Sequence, residues 1–219
     1  MYSLLLTFVL EFVRSLPTDC HERAELAKSA TQVLLNSSKP NIYLSLHAKL
    51  SLQLIILSDY SMATLPRCEL VLSDLMNTMT TGDEVKQLFL GLYGLDLLHP
   101  IMASAEMSPT VKLLASSVIL TMCEDGDWNE DFLDQCMDNE SLIDSIAACA
   151  LTPVPHEYVG LYENILVLLQ KVSRIPKTQA FIRNNTALME WVQSVCDSEE
   201  NLSEFMKLNA VSIWQNLME

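Results

Sequence analysis

Helix-start signals near Met1, Asn41 and Asp83 stand 40 and 42 residues apart, and each opens a stretch long enough for two helices. A helical pair with one apolar face cannot bury that face alone. Units repeated at this spacing therefore stack on their neighbours and share a continuous core. The spacing predicts an all-α chain of about 10–12 helices, in units at 1–40, 41–82, 83–126, 127–155 and 156–219 of a single helical-repeat domain. A compact irregular bundle of the same helices is the competing arrangement.

Caps and breakers place the boundaries. Pro40 and Asn41 open a helix carrying Leu44, Leu50, Leu54 and Leu57. Thr81-Gly82-Asp83-Glu84 has the spacing of a capping box, in which the threonine hydroxyl accepts from the third backbone amide and the glutamate reaches back to the cap's own amide. It predicts a helix from Asp83 to about His99, stopped by Pro100. Ser108-Pro109 is a cap followed by proline at the first helical position, where the missing amide hydrogen costs nothing, and it predicts a helix to about Cys123. The chain breaks around Gly126, and shorter helices over 128–137 and 141–151 follow, ended by Pro153 and Pro155. Val159, Tyr162, Ile165, Leu166 and Leu169 recur at helical spacing and predict a helix over 156–172, ended by Ile175-Pro176. The remainder reads as helices over 178–183, 187–196 and 203–218.

The segment AFIRNNTALMEW at 180–191, followed by LNAVSIWQNL at 208–217, resembles the armadillo pattern of a short helix, a turn, an apolar helix and a closing A-x-x-x-W-N-L-like helix. The resemblance is to the armadillo/HEAT-like helical-repeat superfamily. The glycine that separates the first two armadillo helices is missing, which leaves armadillo and HEAT both open. Large solenoids of the rotatin and meiosis inhibitor protein kind are similar in composition. The resemblance implies a right-handed α-α superhelix, an armadillo/HEAT-like solenoid whose concave surface holds a partner peptide or helix, and no cofactor. The chain starts mid-helix without a cap, which reads as a fragment of a larger solenoid or an isoform of one.

Composition agrees with helices and narrows the partners. Only 5 glycines and 8 prolines occur in 219 residues, too few turn residues for a sandwich or barrel. The formal charge of −15 repels phosphate backbones and anionic headgroups, so neither nucleic acid nor a membrane is the expected partner. Between Lys112 and Lys171 there is no Lys or Arg, while acids such as Asp125, Asp127, Asp131, Asp134 and Glu140 crowd the interval. They read as a solvated face, or as a surface that attracts a basic partner. Cys20, Cys68, Cys123, Cys136, Cys149 and Cys196 lie far apart with no C-x-x-C, as small core hydrophobes of a reducing compartment, cytoplasm or nucleus. The sequons at Asn36, Asn139, Asn184 and Asn201 carry weight only in a secreted chain. Residues 1–17 lack the basic n-region and small-residue cleavage site of a signal peptide, and Glu11 and Arg14 interrupt the apolar run, so an amphipathic helix is expected there. No stretch reaches the ~18 uninterrupted apolar residues that a membrane span requires.

The sequence offers no catalytic constellation. His21, His47, His99 and His156 are scattered, and Cys20-His21 cannot aim both side chains at one ion from a helix, so no metal site is expected. Asp125-Gly126-Asp127 opens like a calcium loop but has Glu130 where glycine is required and Cys136 where the bidentate glutamate belongs. Nucleophile elbows and phosphate-binding glycine loops are absent. Two groups remain as candidates for binding a protein. The basic residues Lys171, Arg174, Lys177 and Arg183 suit an acidic peptide, or merely solvate a connection between helices. Trp128 and Trp191 are candidate aromatic anchors, or core. The reading is a non-catalytic scaffold for a partner peptide or helix, without cofactor. The alternative is a structural segment of a larger solenoid that self-associates through helices at 2–13 or 203–218.

Overall fold

The structure is a computed structural model that describes residues 15–16, 21–37, 46–59, 65–122, 139–153, 155–198 and 202–218. Among the described residues it is all-helical, with eleven α-helices, one 3-10 turn and no strand. The expected helices over 2–13 and 128–137 lie outside the described residues, as do the calcium-like string and Trp128. The chain divides into two compact units, Met1–Leu98 and His99–Glu219.

The first unit contains α1 (His21–Ser37), α2 (Leu46–Ser58), α3 (Leu65–Met79), α4 (Asp83–Gly91) and the start of α5 (Gly94–Ala103). Helix α2 packs against α1, α3 and α4. Its last two turns are buried on every side, as its all-round apolar composition demands. Most of the buried polar groups it carries are answered, the amide oxygen of Gln53 being the exception. Asp74 of α3 accepts from Lys49 Nζ at 2.9 Å through one oxygen and from Gln53 Nε2 at 2.8 Å through the other. Ser51 and Ser58 donate back to His47 O and Ile55 O of their own helix.

In the second unit lie the rest of α5, α6 (Pro109–Thr121), α7 (Asn139–Ala150), the 3-10 turn His156–Tyr158, α8 (Val159–Val172), α9 (Pro176–Asn184), α10 (Thr186–Asp197) and α11 (Glu204–Met218). Two layers are recognisable from the packing. Helix α8 lies between α6 and α11, while α7 packs on α9 and α10. Ser145 Oγ and Cys149 Sγ of α7 donate to His99 O and Met102 O of α5, each at 3.2 Å. Helix α7 joins α8, α10 joins α11, and the short α9 leads into α10. Leu161, Ile165, Leu166, Leu168, Leu169 and Val172 of α8 are buried, as befits the central helix of its layer.

Several local expectations hold. Ser108 caps α6 and accepts from Val111 N at 3.2 Å, with Pro109 in the first turn. The helix expected over 187–196 is found as α10, and its cap, Asn185, which accepts from Leu188 N, is a feature of the structure alone. Others are corrected. Thr81 does not cap α4: its hydroxyl donates to Thr78 O at 2.7 Å, finishing α3, and the cap position falls to Gly82, whose φ of 149° suits a residue without a Cβ. Pro100 does not stop a helix but lies inside α5. The break comes earlier, where Leu92 closes α4 and Tyr93 takes φ 57°. Gly94 then passes so near the Phe89 ring that a Cβ there would lie 2.3 Å from it. Pro176 opens α9 at the position where its missing amide hydrogen is harmless.

Candidate functional site

The connection from α8 to α9 collects three of the four basic residues singled out in the sequence. Lys171 is half-buried in the last turn of α8, Arg174 is exposed in the turn, and Lys177 is exposed in the first turn of α9. Arg183 stands at the far end of α9, where its Nε donates to Leu217 O at 2.7 Å and its Nη2 to Gln179 Oε1 at 3.4 Å. A guanidinium there satisfies a carbonyl that the last turn of α11 leaves open and meets the negative end of that helix. Gln179 donates to Ser173 O and Asn216 O, and Asn216 Nδ2 donates to Ser173 Oγ at 2.9 Å. With the Gln170 amide oxygen turned to Arg174, that oxygen accepts from Nε at 3.1 Å and from Nη2. Arg174 and Arg183 are thus partly engaged in stitching α8, α9 and α11 together. The turn still concentrates positive charge in an acidic chain, which draws acidic groups toward it.

Trp191 of α10 is half-buried against Tyr162 of α8, ring centroids 5.7 Å apart and planes inclined by 58°. The Tyr162 hydroxyl donates to Thr152 O at 2.9 Å. Thr152 also leads to a feature missed in the sequence, a buried lysine. Lys112 of α6 is 1% exposed, and its Nζ donates to Thr152 Oγ1 at 3.4 Å. Nothing in the local pattern distinguishes Lys112 from a surface lysine, because α6 is apolar on most of its circumference.

A second surface is built by α11, whose inner stripe Met206, Ala210, Ile213 and Leu217 is buried. Its opposite face nevertheless carries Leu208 at 69% exposure, Val211 and Met218, with Phe205 at one edge. Two apolar stripes on one helix were legible from its residue wheel. Beside this face, a depression of about 370 Å³ is lined by Met189, Glu190, Gln193 and Asp197 of α10 and by Trp214 of α11. Among the described residues no group of three or more His, Cys, Asp or Glu is placed to hold a metal ion. No described helix is long and apolar enough to cross a membrane.

The family model described as coiled-coil domain-containing protein 138, C-terminal domain, matches residues 11–217. No curated protein and no solved structure matches the chain.

Proposed function

We propose that this chain, which belongs to the family of the coiled-coil domain-containing protein 138 C-terminal domain, is a non-catalytic scaffold that holds a partner peptide or helix on an armadillo/HEAT-like right-handed solenoid. The observation that carries the reading is a register repeated in the second unit. Helices α7 and α10 begin at residues 139 and 186, and α6, α8 and α11 at 109, 159 and 204. Each layer therefore advances by 45 to 50 residues per step, near the period of such arrays. The steps are also parallel. Thr110 and Ser116 of α6 meet Tyr158 and Asn164, while Glu163, Gln170 and Ser173 of α8 side meet Ser203, Ser212 and Asn216 in the same order.

Stacked parallel helices with short connections build surfaces rather than enclosed sites, and such surfaces serve to bind extended chains. Lys171, Arg174 and Lys177 at the α8–α9 turn, with Trp191 nearby in sequence order, are the contact groups assigned to an acidic partner. Cys149, a buried thiol, supports a reducing compartment, cytoplasm or nucleus.

Affinity capture from cell extract with the wild-type chain and with an Arg174→Glu, Lys177→Glu variant tests this reading. A partner retained by wild type and lost by the variant, at unchanged circular dichroism, supports it. Equal retention by both removes the basic turn as the contact, and a chain that captures nothing specific leaves the scaffold reading without its main consequence.

A further inference from the structure

We infer that the outer face of α11 is a docking site for a single amphipathic helix of a partner protein, lying parallel to α11 and carrying Lys or Arg beside its apolar stripe. The inference rests on the stacked reading for its register and goes beyond it in naming a surface and an occupant.

The register identifies the face. Leu113 of α6 lies against Gly160 of α8, 3.8 Å from where a Cβ would stand, and Ser116 accepts from Asn164. Advanced by the 50 residues between the two helix starts, Leu113 and Ser116 fall on Glu163 and Leu166 of α8. Helix α11, with Ser203 just before it, meets α8 at Glu163 and Gln170 and the α8 C-cap at Ser173. A further step of 45 residues carries these three to Leu208, Gln215 and Met218. The face that each earlier helix of the layer turns to the next, half-buried at Leu113, Glu163 and Gln170, is therefore the face that α11 leaves exposed. It has also become more apolar at this last step, with leucine in place of Glu163 and methionine in place of Ser173.

The neighbouring layer limits what can cover it. Ile143, Ile146, Ala147 and Ala150 of α7 are buried. Their counterparts in α10, 47 residues on, are Glu190, Gln193, Ser194 and Asp197, none of them buried. Gln193 even donates to Asp197 at 2.7 Å, a pairing internal to a solvated face. A complete further repeat would have to bury this polar surface, which is the kind that terminates arrays. A lone helix on α11 avoids it. Its flank would face Glu190 and Asp197, so complementarity calls for basic residues there. The same charge logic disfavours a second copy, since each copy carries −15.

The probe is a fluorescein-labelled 15-residue peptide, the length of α11, with leucines on one helical stripe and lysines on its flanks. A glutamate-flanked version and a scrambled version serve as comparisons. Fluorescence anisotropy on the full chain should show saturable binding of the lysine-flanked peptide. Weakening by about tenfold or more is expected both with glutamate flanks and in the Leu208→Asp, Val211→Asp variant, because each removes a central contact. Both substitutions are at exposed positions, so circular dichroism should be unchanged. Equal binding of the scrambled peptide, or equal binding by the variant, overturns the site. So does light scattering that finds a dimer which the variant dissolves, since a second copy would then cover the face. Oxidative cross-linking of a Glu163→Cys, Ser203→Cys protein separates the two levels: a cross-link without peptide binding removes the α11 site alone, whereas failure to cross-link removes the stack beneath it.

Discussion

Lys112 is a cation taken almost wholly out of water, with one hydrogen bond of 3.4 Å to Thr152 Oγ1 as its side-chain partner among the described residues. A buried charge recovers its desolvation cost only with good partners, and apolar replacements of similar length are often neutral or stabilising. Lys112→Met should raise the free energy of unfolding by about 1 kcal/mol, read from urea denaturation; a loss of stability would mean that the Thr152 contact outweighs desolvation. The adjacent thiol carries a pH signature. Burial pushes Cys149 up to about 11, with Lys112 pulling weakly the other way. The folded chain thus keeps a proton that the unfolded chain gives up first. The associated stability is complete below about pH 9 and is lost as pH rises toward 11, at up to about 1.4 kcal/mol per unit. Cys149→Ala should flatten that alkaline decline relative to wild type, and parallel declines would refute the assignment. In the first unit, Asp74→Ala leaves the fully buried Gln53 amide without its acceptor, at an expected cost of about 2 kcal/mol.

At the scale of elements, the interval between α4 and α5 shows where local rules stop being sufficient. The Ser108-Pro109 cap was readable because cap and proline act within one turn and need no distant partner. Thr81 satisfies the spacing of a capping box just as well, yet its hydroxyl donates back to Thr78 O instead. Pro100 ought to end a helix, but α5 starts only at Gly94, so the proline disturbs a single turn of a short helix rather than the middle of a long one. At the actual break the buried Phe89 ring leaves no room for a Cβ on Gly94, a constraint that spacing does not encode. Gly94→Ala should therefore cost about 1–3 kcal/mol through overpacking, seen as a lower thermal midpoint, and an unaffected midpoint would show that the ring can move aside. The basic cluster was legible as charge and not as structure. That Arg183 would bind Leu217 O, 34 residues away, follows only from how α9 meets the end of α11.

For the whole molecule, the helical class followed from scarce glycine and recurring caps, whereas the layer register required the packing itself, because the steps share length and not residue identity. Net charge is the one property of the entire chain that sequence states outright, and it sets two salt effects of opposite sign. With −15 formal charge, mutual repulsion of the acids works against the compact state and is screened as ionic strength rises, since the Debye length shortens from about 30 Å at 0.01 M to 8 Å at 0.15 M. The thermal midpoint should climb by a few degrees over that range, the change expected from about 1 kcal/mol in a chain of this size. Association of a lysine-flanked helix with the α11 face should slow over the same range, because screening also removes the attraction that steers a basic partner in. Differential scanning fluorimetry and stopped-flow fluorescence read the two trends on one set of samples. A midpoint indifferent to salt would mean that the acids are spaced or paired well enough not to strain the fold. Association that does not slow with salt would mean that apolar contact with Leu208, Val211 and Met218 governs encounter, and that Glu190 and Asp197 contribute nothing to the approach.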